Sequence, residues 1–175
     1  MNSNPWQKYH ESSRRIEDLP DKSQIVRDYY SWLFDDPEIE LTKDIEEIFK
    51  LNIKQCIATG GMKDKTAKKI DVVKIRNYFP DETVFTADMV EKGKPEPDLF
   101  LLAAKSFNYK PEECVVVEDS VAGIKAAIKA NITPILYFDG IIDEKSQIIK
   151  EMRNLGVKYI FNNMKDIKNK IIELF

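Results

Sequence analysis

From about residue 40 onward the chain alternates short, almost wholly apolar runs with amphipathic helical patterns, and this alternation limits its fold more than any other feature. The runs predicted as strands cover 53–59, 83–86, 114–117, 133–138 and 157–161. Helical spacing is predicted around Ile45, Ile48 and Phe49, over 63–78, after Pro95 and Pro97, through Val121, Ile124 and Ile128, over 145–154, and through Ile167, Ile171 and Leu174. Strands with no polar alternation are buried on both faces, which calls for a parallel sheet with helices above and below it. The expected fold class is α/β, a doubly wound parallel sheet. In such sheets ligands bind beyond the carboxyl ends of the strands. Thr59, Lys94 and Asp119 all fall at or just after such ends.

Two domains are expected: a helical segment over 1–40 and the α/β core over 41–175. The first carries scattered apolar residues and then a dense aromatic stretch through Tyr29, Tyr30, Trp32, Leu33 and Phe34. Exposed aromatics of that kind want a partner surface. Composition excludes several classes. With 27 basic and 30 acidic side chains the net charge is −3, so there is no general electrostatic reason to bind nucleic acid or an anionic membrane. No apolar run reaches the length of a membrane span, and the first residues lack a secretory apolar core, so a cytoplasmic location is expected. Cys56 and Cys114 sit in separate apolar runs, make no metal or disulfide pattern, and are expected to be buried, reduced thiols.

Three local patterns carry chemistry. Ile57-Ala58-Thr59 ends a strand before Gly60-Gly61. Gly93-Lys94-Pro95-Glu96-Pro97-Asp98 sets a lysine just ahead of a helix, and Val117-Glu118-Asp119-Ser120-Val121-Ala122-Gly123 sets two carboxylates at the end of another strand. Phosphate chemistry needs both a cation for the dianion and hard oxygens for a metal. Each pattern alone has an ordinary structural explanation, such as a capping threonine, a solvated turn lysine or acids favoured at a helix N-terminus. In this order, each at a strand end, they resemble motifs two, three and four of the haloacid dehalogenase (HAD) superfamily. The likeness is to its capped sugar-phosphate phosphatase and β-phosphoglucomutase branch, and it covers residues 40–175.

The resemblance implies a HAD-type, Rossmann-like fold and a role for each matching residue. Thr59, with Gly60 beside it, would bind a phosphoryl oxygen. Lys94 would neutralise the phosphoryl group and orient a nucleophilic carboxylate. Asp119 would hold Mg2+, with Glu118 as a second or water-mediated ligand. Residues 1–40 would be a remnant of the helical cap. The substrate implied is a small phosphorylated metabolite, with phosphoglycolate, a hexose phosphate and a nucleoside phosphate all admissible.

The departure from that pattern matters as much. The superfamily's nucleophile is the first aspartate of an Asp-x-Asp pair at the end of a central strand, and no Asp-x-Asp occurs in these 175 residues. Asp35-Asp36 has the wrong spacing, and Asp139, after the run at 133–138, has Ile141 where the acid–base partner belongs. Both read as turn residues. The core is therefore expected to be incomplete, lacking its first strand. Loss of a central strand opens a gap of two strand spacings, roughly 9–10 Å. Three outcomes are open: a second polypeptide supplies the strand, the sheet closes in another order, or the chain is an unstable remnant. The functional expectations are a phosphomonoester hydrolase scaffold inactive without a supplied nucleophile strand, a non-catalytic binder of phosphate esters or protein, or an interaction module built on the aromatic segment.

Overall fold

The computed structural model describes residues 39–139, 143 and 145–175. The cap remnant and the aromatic segment expected before residue 39 lie outside the described residues. From Glu40 onward the chain forms one compact unit. Its elements are α1 (Glu46–Phe49), β1 (Ile57–Thr59), α2 (Lys63–Val72), β2 (Val84–Thr86), α3 (Asp98–Ser106), β3 (Val115–Glu118), α4 (Val121–Lys129), β4 (Thr133–Tyr137), α5 (Gln147–Asn154), β5 (Tyr159–Phe161) and α6 (Met164–Leu174). All strand pairs are parallel, as the unbroken apolar runs require.

Among the described residues the strands form two sheets rather than one. β1 pairs with β2, setting Thr59 opposite Thr86, while β4 lies between β3 and β5. β1 and β3 are each paired on one side only. Among the described residues β1 and β3 do not pair with each other.

Side chains along each strand alternate between two helical layers. Ala58, Phe85, Val116, Leu136 and Ile160 face α3, α4 and α5, whose contacts include Leu99, Phe100, Ala126, Ala127, Ile149 and Met152. Ile57, Val84, Val115, Ile135 and Tyr159 face α1, α2 and α6, through Ile48, Phe49, Ile70, Ile167 and Ile171. The layers tie the two sheets together. Phe100 and the alanines of α4 form one cluster that takes in Ala58 of β1 and Val116 of β3. On the other side, α1 sends Phe49 toward the β1–β2 pair and Ile48 toward the three-stranded sheet. Alanine at 126, 127 and 130 leaves room for the helix to lie close on both.

Four helices stop for one reason. In α2, α3, α4 and α5 a residue two past the last helical one turns left-handed: Lys74, Asn108, Asn131 and Gly156, at φ 57°, 59°, 60° and 87°. Each helix end then carries the paired bonds of a Schellman motif, such as the Ile75 amide to the Ile70 carbonyl (3.1 Å) and the Lys74 amide to that of Asp71 (3.2 Å). This corrects the helix expected over 63–78, which ends at Val72. The apolar spacing continues through Ile75 and Phe79 because these residues fold back into the same cluster as Ile70. The strand expected over 53–59 is also shorter. Ile53 lies in a turn, 37% exposed, and pairing begins only at Ile57, where β2 is available.

Candidate functional site

The carboxyl ends of β1 and β3 open onto one cavity of about 540 Å³, lined by Ala58, Thr59, Gly60, Lys94, Val117, Glu118, Asp119 and Ser120, with Thr42, Ile45, Ala122, Tyr137 and Met164 completing its wall. All five residues singled out from the sequence (Thr59, Gly60, Lys94, Glu118 and Asp119) therefore come together. Asp139, the weighed substitute nucleophile, does not line it. Its charge acts instead on Tyr137, whose phenol is raised first by burial and then by Asp139.

Lys94 stands between the two sheets. Its ammonium donates to the Ala58 carbonyl at 3.0 Å and to the Glu118 carboxylate, and it lies 4.8 Å from the centre of the Phe100 ring. The Lys94 and Glu118 side chains are only 12% and 10% exposed, so each is the other's main compensation for leaving water. Glu118 is pinned from its other oxygen as well, by the Ser120 hydroxyl (2.8 Å) and amide (3.3 Å). Ser120 is the N-cap of α4, and its hydroxyl oxygen also accepts from the Gly123 amide at 3.0 Å. The carboxylate thus rests on the positive end of α4, where an anion is favoured.

Gly123 makes this seat possible. A Cβ at that position would lie 2.0 Å from the Glu118 carboxyl carbon. The small size of Gly123 is what admits the Glu118 side chain. Two further contributors were missed. One is the Ala58 carbonyl, because a backbone acceptor leaves no mark in the sequence. The other is Asp88, whose carboxylate accepts from the Lys63 amide at 3.1 Å and caps α2 from the turn after β2, fixing the Thr59–Gly61 loop. The neighbouring Thr86 hydroxyl, and then backbone amides including that of Lys63, hold its carboxyl below the usual range. Within the loop, the Thr59 hydroxyl accepts from the Gly61 amide at 3.1 Å, which leaves its proton available to a ligand oxygen.

The acidic pair divides its duties. Both Glu118 oxygens are engaged, whereas Asp119 is exposed and has no ion-pair partner among the described residues. Magnesium takes one or two carboxylates together with waters and phosphate oxygens. Among the described residues no three Asp, Glu, His or Cys side chains gather at one point. Asp119 fits as one ligand, and these residues do not complete a magnesium site. The cysteines, expected to be buried, are half-buried free thiols at the amino ends of β1 and β3.

Parallel strands in an α/β unit, with a lysine, a threonine and two carboxylates at the strand ends, define the class: a Rossmann-like α/β scaffold with a polar cavity at its strand ends. The chain belongs to the haloacid dehalogenase-like hydrolase family, whose sequence profile matches residues 1–137. It is 34% identical over 83 residues to the 6-phosphogluconate phosphatase of Escherichia coli, and 35% identical over 88 residues to a phosphorylated carbohydrates phosphatase of Thermotoga maritima. Those matches cover 47% and 50% of this chain but only 37% and 40% of the relatives. The chain thus spans about two-fifths of the length of the curated relatives it matches. A HAD family hydrolase from Deinococcus radiodurans, solved with bound phosphate and sodium, superposes with a TM-score of 0.72 at 18% identity. That superposition covers 94% of this chain and 78% of the other, and at this identity it speaks for the fold alone.

Proposed function

We propose that this scaffold grips the phosphate of a small phosphorylated metabolite, a sugar phosphate in the first instance, and supports its hydrolysis only when a nucleophilic carboxylate is supplied from outside these residues. The observation that carries the reading is Lys94, a buried ammonium held between Ala58 of β1 and Glu118 of β3 at the wall of the cavity that Thr59 also lines. A phosphomonoester dianion entering there would meet the ammonium and the Thr59 hydroxyl, both donors suited to phosphate oxygens. Glu118 competes for the same ammonium, so it sets how firmly phosphate is held. Asp119 is the residue assigned to magnesium, which when bound would neutralise part of the phosphate charge. The sugar-phosphate class rests on the names of the relatives, 6-phosphogluconate phosphatase and phosphorylated carbohydrates phosphatase.

Among the described residues of the cavity wall, none is free to play the attacking carboxylate. Glu118 is held by three donors on its two oxygens, and Asp119 is the metal ligand in this reading. Purified chain with magnesium and a panel of sugar phosphates should bind them, show no turnover above a Lys94→Ala control, and lose binding in that control. Magnesium-dependent hydrolysis abolished by Asp139→Asn would overturn the assignment and make Asp139 the nucleophile.

A further inference from the structure

The cavity at the strand ends is polar on one side only. Residues alternate along β3, so Val116 and Glu118 face α3 and α4 while Val115 and Val117 face the layer of α1 and α6. Glu118 and Lys94 therefore stand on the first side, next to Phe100. On the second side Ile45, ahead of α1, Tyr137, at the end of β4, and Met164, at the start of α6, pack into one apolar cluster. All three also line the cavity, as does Val117. Val117 is 37% exposed although it lies within a strand, so its apolar side chain meets water there. A cavity of about 540 Å³ is of the size that holds a small organic molecule, and a phosphate alone would fill a small part of it. Pockets of that kind combine apolar walls with a few polar groups that fix orientation.

We infer that Ile45, Val117, Tyr137 and Met164 seat the organic part of the phosphate ester, and that they select a carbon skeleton with an apolar face over an open-chain polyol. An aryl ring or the C–H face of a cyclic sugar has the required chemistry. The inference rests on the phosphate-handling reading above and adds to it the class of ester. With the phosphate at Lys94 and Thr59, a skeleton lying across the cavity meets this wall. Ile45, Val117 and Met164 offer no side-chain donor. The hydroxyls of an open-chain polyol turned toward them would lose water without gaining a partner. An apolar face instead covers Val117 and gains from leaving water. Contact over about 60 Å² of apolar surface amounts to about tenfold in affinity.

The test is calorimetric titration of the 175-residue chain, with magnesium at neutral pH, against inorganic phosphate, glycerol phosphate and phenyl phosphate. Phenyl phosphate should bind about tenfold tighter than the other two. Val117→Thr keeps the branched shape of a strand residue and puts a hydroxyl in place of one methyl. It should cut that preference about three- to fourfold. The comparison among ligands is made on the unaltered chain, so it stands whether or not the variant folds. Equal affinity for all three, or phenyl phosphate the weakest, overturns the organic seat and leaves the phosphate-handling reading in place. A preference that Val117→Thr leaves whole also overturns the seat, since the ring then rests elsewhere. Binding of none of the three removes the reading and the inference together.

Discussion

At the scale of single residues, the site depends on where one carboxylate is seated. Glycine at the third position of α4 ordinarily weakens a helix, and replacing it with alanine is ordinarily favourable by about 1 kcal/mol. Here the sign should reverse. Gly123→Ala puts a carbon 2.0 Å from the Glu118 carboxyl carbon, so Glu118 must leave its seat or α4 must shift. Urea denaturation should show a loss of about 1–3 kcal/mol, and a gain would mean that Glu118 does not rest on α4. Cys56 reports on burial at the opposite end of β1. Burial, reinforced by Cys114, pushes its thiol from an ordinary 9.0 to about 11. Its alkylation at pH 8 should be about 100-fold slower than that of a thiol titrating near 9, because about a hundredth as much thiolate is present. Since the folded value is the raised one, the stability this site confers is complete below pH 9 and is lost as pH climbs through 11.

At the scale of elements, helix ends explain most of the differences between the expected and observed boundaries. The left-handed position after each of α3, α4 and α5 carries Asn108, Asn131 or Gly156, residue types suited to that conformation. Lys74 after α2 is the exception, with φ at 57° and no side-chain advantage there. Lys74→Gly should therefore stabilise the chain by about 0.5–1 kcal/mol in a denaturant titration, while the same change at an ordinary loop position should not. A chain destabilised by this substitution would show that the lysine side chain has an unrecognised partner role. The clamp just beyond it, Arg76 bonded to Asp71, Asp81 and the Ala67 carbonyl, ties α2 to the turn before β2. That turn leads into β2, and the turn after β2 carries Asp88, so α2 is held from both ends of its neighbouring strand.

At the scale of the whole molecule, the division into two sheets should govern where the fold opens first. β4 is paired on both sides, whereas β1 and β3 each have one edge without a partner among the described residues. Hydrogen exchange should find the β4 amides from Ile135 to Tyr137 the longest protected. Edge amides of β1 and β3 should exchange at least about tenfold faster. Equal protection across β1, β3 and β4 would mean that β1 and β3 have a partner beyond the described pairs. Among the described residues the two sheets are joined through side chains: the alanine-rich cluster under α3 and α4, the span of α1, and the Lys94 bridge from Ala58 to Glu118.

The fold class was readable from sequence because a strand buried on both faces must be apolar throughout, and each run had a helix of matching spacing beside it. The convergence of Thr59, Lys94 and Asp119 was readable because parallel connections bring all the carboxyl ends of the strands to one side. Helix α2 was read too long, since a left-handed lysine has no signature and Ile75 and Phe79 return to the same cluster that Ile70 occupies. The partner of Lys94 was not readable at all. Nothing in Glu118-Asp119 tells which of the two carboxylates turns inward. That was decided by Ser120 and Gly123 at the head of α4, where a capping hydroxyl and a missing side chain give room to one carboxylate and leave the other facing the cavity.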